Sequence, residues 1–194
     1  IGGDFSYRDA WLRFAAGVKG IPDEPLIVQG QVPYALPFMT LQPDSNQLLV
    51  QASLSSGGFA LLDMFSPYVA WGGGDASLLV EAKGPLAQPE VVGLIEFQNA
   101  SLVSDFLGES LTDLQGNVGF AGDRLYADEL QGSLLTGAFR LAGELPFSNG
   151  DAEQTPATEP LTLTLNQLLF NFQNEIASAL DGQLIINNSL ETPL

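Results

Sequence analysis

The chain has 194 residues, 45% hydrophobic and 15% charged: enough apolar content for one large domain or two small ones, and too much for a disordered segment. Six Lys and Arg oppose 23 Asp and Glu, and the resulting net charge of −17 repels phosphate backbones, so nucleic acid is excluded as a partner. The absence of Cys and His excludes disulfides, thiolate sites, imidazole metal ligands and a His general base.

Twenty-one Gly and 12 Pro, spread along the chain, suit many short strands joined by turns. No run of 18 apolar residues is present, so no helical membrane span is expected. The chain begins at Ile1 without a start Met and reads as a piece of a longer protein.

In chain order, residues 9–16 (DAWLRFAA) fit a short amphipathic helix with Asp9 as its N-cap. Leu48, Val50, Ala52 and Leu54 alternate with polar neighbours and predict a strand. Residues 59–71 carry apolar side chains at helical spacing, interrupted by Pro67, and predict a second helical piece. Gly72, Gly73 and Gly74 then read as a flexible connector from that helix to a strand. A phosphate-binding loop would need a helix N-terminus after the glycines, whereas here Asp75 and an alternating run follow.

That run sets Ala76, Leu78, Val80 and Ala82 against Ser77, Glu81 and Lys83, with Leu79 out of phase, and ends in a turn at Gly84–Pro89. Ile95 and Phe97 oppose Glu96 and Gln98 in the next strand, whose end is expected at Phe97–Ala100. Residues 111–125 predict a hairpin containing Val118 and Phe120, and Phe139, Leu141 and Leu145 alternate with Arg140 and Glu144. The acidic, Pro-bearing segment 147–160 reads as an exposed loop. Leu161, Leu163 and Leu165 belong to a further strand, and residues 169–180 predict a third short helix ending at Gly182, although 168–172 also fits a strand.

An internal repeat runs through these elements. Val28–Pro33 matches Leu141–Pro146 at an offset of 113, and Leu48, Val50 and Ala52 fall on Leu161, Leu163 and Leu165 at the same offset. Asp75–Val80 and Leu86–Pro89 then match Asp181–Ile186 and Leu190–Pro193 at offsets of 104 to 106. Residues 26–146 therefore read as about one full repeat and 161–194 as the start of the next, all within one elongated, repeat-built β domain.

The chemistry available is sparse. Asp123, Asp128 and Glu129 gather near one predicted hairpin as a paired-carboxylate hydrolase would need, but among 23 acids some clustering is expected, and Asp113, Asn117 and Asp123 lack the regular spacing of a calcium loop. No catalytic residue, metal or cofactor is expected.

The order of these segments resembles the TamB C-terminal domain, within the AsmA-like bridge proteins of diderm bacteria. It is carried by Gly84–Pro89 with Val91 to Ala100, by Leu111 to Leu125, and by Leu130, Gln131, Gly132 and Ser133 through to Pro146. It spans most of residues 26–193. The acidic, Gln-rich character is similar to a cyanobacterial member, related to the large chloroplast envelope protein of the same family. The resemblance implies a mainly β fold, a β-taco in which a long sheet folds into a trough with an apolar interior, here with one to three short helices. It also implies an inner-membrane tether, a reach across the periplasm to an outer-membrane barrel of the Omp85 class, and a part in outer-membrane protein assembly and phospholipid transport.

On that basis the chain is expected to be non-enzymatic and periplasmic. Its partners would be phospholipid acyl chains or unfolded β-strands, and the full-length protein would engage the barrel. The expected lipid-facing residues are Leu78, Val80, Ile95, Phe97, Val118, Phe120, Phe139, Leu141, Leu163 and Leu165, a set without charge and without the convergent polar groups of a specific small-molecule pocket. The alternative from another class is an extracellular β-solenoid, an adhesin or polysaccharide-acting protein, which would show repeats of about 20–30 residues and a lateral carboxylate cluster.

Overall fold

A computed structural model describes residues 2–17, 26–38, 40–61, 68–104, 109–148, 159–172, 176–186 and 190–191. The strands are β1 (Gly2–Arg8), β2 (Trp11–Gly17), β3 (Leu26–Pro33), β4 (Gln47–Leu54), β5 (Val69–Pro85) and β6 (Glu90–Ser104). They continue as β7 (Glu109–Ala121), β8 (Arg124–Leu134), β9 (Gly137–Ser148), β10 (Leu161–Phe172), β11 (Ile176–Ile186) and β12 (Leu190–Glu191). β1 to β11 form one antiparallel sheet in strict chain order, each strand pairing with the one before it, while β12 lies parallel to the end of β9. The sheet is open, because β1 and β11 stand at opposite ends of the order.

A mainly β, taco-like architecture is therefore present, but the expected helices are not. Among the described residues the single helical element is a short 3₁₀ segment, Ser56–Leu61. The stretch 9–16 is instead a hairpin. Asp9 and Ala10 both take left-handed backbone angles (φ 52° and 60°) and form the two-residue turn between Arg8 and Trp11. Two positive-φ residues match the right-handed twist of the flanking strands, so the chain reverses rather than winding into a helix. Leu12, Phe14 and Ala16 fit either period over so short a run, and pairing with β1 and β3 selects the strand.

The stretch 169–180 is likewise strand at both described ends, β10 to Phe172 and β11 from Ile176, and Gly182 lies inside β11 rather than stopping a helix. In 59–71, residues 62–67 lie outside the described set, and Val69, Ala70 and Trp71 already belong to β5. Gly72, Gly73 and Gly74 are therefore not a connector: they sit within a 17-residue strand, where the pairing to β6 shifts twice. β6 also runs on past Phe97–Ala100 to Ser104. Of the expected acidic loop 147–160, Phe147 and Ser148 belong to β9, and residues 149–158 lie outside the described set.

The sequence repeat has a structural counterpart with a period of six strands. Phe5↔Phe14, Phe14↔Gly30, Leu12↔Val32 and Trp11↔Pro33 pair across β1–β3. Exactly 113 residues later, Val118↔Ala127, Ala127↔Gly143, Leu125↔Leu145 and Arg124↔Pro146 pair across β7–β9. The next strand slips by two residues. Val28 pairs with Ala52, while its counterpart Leu141 pairs with Leu163, so the offset for β10 becomes 111. A slip of two preserves the face each side chain occupies, because side chains alternate with period two. Ala52↔Val80 and Leu163↔Leu184 then carry the correspondence on to β5 and β11.

Candidate functional site

The cross-strand register sorts the side chains onto two unlike faces. One row runs Leu54, Leu78, Ile95, Val118, Ala127 across β4 to β8, and the next runs Ala52, Val80, Gly93, Phe120, Leu125, Leu145 across β4 to β9. Phe97 stands opposite Ala76 and Gly116, and the pairs Leu141↔Leu163 and Phe139↔Leu165 continue the same face into β10. All ten residues singled out from the sequence thus lie on one face of one sheet. These rows hold no Asp, Glu, Lys or Arg, and the one acid on this face among the described residues of β3 to β10 is Glu109, which stands opposite Ser104 at the end of β7.

The packing on this face is aromatic over glycine. The Phe120 ring covers Gly93 so closely that an added Cβ there would come within 2.3 Å of it. Phe97, Phe139, Leu114, Ala100, Ala76 and Phe59 form the main buried cluster, with Leu78, Ile95, Leu163 and Leu165 packed at its margin. Phe59 reaches it from the 3₁₀ segment, its ring 5.0 Å from that of Trp71, and Ser56 Oγ accepts from the Ala76 amide at 2.9 Å. Among the described residues this segment is the one non-strand element packed on the sheet.

The sequence reading missed what bends the sheet. β6, β7, β8 and β10 each carry a β-bulge, with Asn99, Asp113, Glu129 and Gln167 at φ 50–54°, and β5 carries its own at Gly73 and Gly74. The bulges abut across β5 to β8. The Cβ position of Gly74 lies 2.2 Å from Asn99 O, Gln115 Nε2 donates to Asn99 Oδ1 at 2.8 Å, and the Cβ position of Gly116 lies 2.5 Å from Glu129 O. A bulge bends its strand and increases local twist. Burial is deepest just after the left-handed residue: Ala100 is 0% exposed, Leu114 1% and Leu168 1%. The signal was present in the sequence as a phase slip, with inward residues three apart rather than two at Phe97–Ala100, Leu111–Leu114, Ala127–Leu130 and Leu165–Leu168.

The opposite face is polar and ionic. Gln29 Nε2 donates to Gln51 Oε1 at 3.4 Å, and Gln51 Nε2 donates to Glu81 Oε2 at 2.8 Å. That amide, with Lys83 beside it, holds the Glu81 carboxyl below its ordinary value against a desolvation penalty that pushes it up. Arg124 donates to Glu144 at 2.7 Å and also pairs with Asp123, which raises its guanidinium pKa further. Glu129 pairs with Arg140. Two of the three acids near the hairpin are thus in ion pairs, and among the described residues no group of three metal-ligating side chains is assembled. Leu79, out of phase in the sequence, sits on this outer face beside Ser53 and Leu94, half exposed.

No family model matches the chain, and no solved structure matches it. The chain is similar to two curated chloroplastic proteins. It is 28% identical over 159 residues, 81% of its length, to Protein SUBSTANDARD STARCH GRAIN 4, chloroplastic, of Oryza sativa subsp. japonica. It is 27% identical over 151 residues, 77% of its length, to Protein TIC236, chloroplastic, of Arabidopsis thaliana. The chain spans about 7% of the length of each of these relatives, so it is similar to a short segment of two much larger chloroplastic proteins.

Proposed function

We propose that the chain is a segment of a TamB-like, AsmA-like bridge protein, and that its apolar sheet face carries phospholipid acyl chains between two envelope membranes. The observation that carries this reading is the face itself: apolar rows cross β3 to β10, and among the described residues its one acid is Glu109, opposite Ser104 at the end of β7. At roughly 4.8 Å per strand, those eight strands give an apolar path of roughly 34 Å. That exceeds the ~15 Å depth of one leaflet's hydrocarbon. Each acyl methylene moved from water onto such a wall gains about 0.8 kcal/mol, so a lipid tail is held without any polar anchor.

The two chloroplastic relatives agree with a family that includes a large chloroplast envelope protein. In this reading the segment is non-enzymatic and periplasmic, in a protein anchored elsewhere in the inner membrane, and the full-length protein engages an Omp85-class barrel. No helix among the described residues is long and apolar enough to cross a membrane. Unfolded β-strands are the second cargo, favoured by the unpaired edges of an open sheet. The β-solenoid alternative is not favoured, because β1 to β11 pair antiparallel throughout rather than in parallel coils.

The test is lipid recovery from the purified chain by mass spectrometry, alongside Val80→Arg and Ile95→Arg. Both positions are half-buried, so folding can be checked independently by circular dichroism. The expected outcome is phospholipid co-purifying with the parent chain and lost from both folded variants. Lipid-free parent chain, or variants that carry as much lipid as the parent, would contradict the reading.

A further inference from the structure

Given acyl chains on the apolar face, we propose that Phe59 sets where on it they lie: its ring holds the Trp71 end of β5 and confines an acyl chain to the rows of Leu78 and Val80. β4 pairs with β5 from Gln47↔Pro85 to Leu54↔Leu78, so Val69 to Ser77 of β5 extend beyond it. There the chain leaves the ladder as the 3₁₀ segment Ser56–Leu61. Ser56 replaces the missing strand at one point: its Oγ accepts from the Ala76 amide at 2.9 Å and donates to the Ala76 carbonyl at 3.1 Å. Phe59, 3% exposed, then lies in the buried cluster with Ala76, Phe97, Ala100, Leu114 and Phe139, its ring 5.0 Å from that of Trp71.

Among the described residues the second copy of the repeat has no such segment. β10 is the counterpart of β4, and past its bulge it stays paired with β11, from Leu168↔Leu180 to Phe172↔Ile176. At the offset of 111 between these two strands, the copies part where Gly57 and Gly58 stand in place of Leu168 and Leu169. Glycine weakens a strand and frees the backbone to turn, and the Gly58 amide donates back to Ser55 O at 2.7 Å. The departure of the chain onto the face is thus a local change in one copy, not a requirement of the ladder. The lining beneath the ring runs without a charge from Trp71, Ala76 and Phe97 to Leu78 and Ile95. An acyl chain there would bury the same apolar surface as the ring does, so the two compete for one place, and a small change in the segment decides between them.

The chain has two Trp, so in a Trp11→Phe background Trp71 reports alone on the place beside Phe59. The probe is a phosphatidylcholine brominated along its acyl chains and loaded onto the full chain. Bound lipid is counted by mass spectrometry, and Trp71 quenching by the bromines is read at equal lipid load. Adding Phe59→Ala or Ser56→Ala to that background is expected to raise the quenching at least about threefold, because the first empties the place and the second frees the segment that fills it. Should Phe59→Ala lose its fold by circular dichroism, Ser56→Ala, which leaves the ring intact, decides the matter. Equal quenching with and without these changes overturns the assignment of Phe59 and leaves the acyl-chain reading standing. Absence of lipid from the Trp11→Phe chain and from both folded variants overturns the two together.

Discussion

At the scale of single residues, the sheet separates side chains that the sequence leaves side by side. Leu78 and Leu79 are neighbours of the same chemistry; one faces the uncharged rows and the other the Gln and Glu face. The two most deeply buried leucines, Leu114 and Leu168, lie just behind bulges, which no alternating pattern singles out. Leu114→Ala removes a side chain that is 1% exposed, and is expected to cost about 2–5 kcal/mol in urea denaturation. Leu79→Ala, at a half-exposed position, is expected to cost less than about 1 kcal/mol. A further prediction concerns Glu81, whose carboxyl is held below its ordinary value first by the Gln51 amide and then by Lys83. A carboxyl with a depressed folded pKa adds stability above its unfolded pKa and loses it as pH falls through the folded value. Gln51→Ala is therefore expected to lower the urea midpoint at neutral pH. Its deficit relative to the parent chain should shrink as pH falls from about 5 toward 3. A deficit that is constant across that range would exclude the linkage.

At the scale of elements, the strand faces were legible and the breaks in them were not. Period-two alternation located β4, β6, β9 and most of β5 correctly, because half-buried strands impose that period on their side chains. It placed all ten inward residues on one face. Short apolar runs such as Trp11–Ala16 were misread because a run of six residues fits both the helical and the strand period, and partner strands decide between them. The glycine run 72–74 was misread for a related reason. A sequence shows that glycine permits unusual backbone angles, but not that β6 lies against it. The structure separates two of these glycines. Gly73 and Gly74 both have positive φ, yet a Cβ on Gly73 meets nothing within 4 Å, whereas one on Gly74 meets Asn99 O at 2.2 Å. Gly73→Ala is expected to cost about 1–2 kcal/mol from backbone strain alone. Gly74→Ala is expected to cost more, because the strand must also move off Asn99. Equal losses in thermal unfolding of the two variants would contradict the packing of the bulge line.

At the scale of the whole molecule, an open antiparallel sheet keeps most of its charge on one face and an apolar face, with Glu109 at its end, on the other. The net charge of −17 is carried mainly by the polar face. The repeat lets the arrangement be extended, since three strands recur in the same register as far as the bulges of β7 and β8 and the next two recur with their faces preserved. The bulges lie beside one another across β5 to β8, and Ala100 and Leu114, just behind them, are among the most buried side chains. The central claim is that acyl chains occupy the apolar face and no other. Its most direct test is a photo-crosslinking amino acid placed at Leu78 in one sample and at Leu79 in a second, in cells, with labelled lipid recovered by mass spectrometry. These adjacent positions differ only in face. The account predicts lipid adducts at 78 and none above background at 79. Equal labelling at both, or labelling at 79 alone, would contradict it.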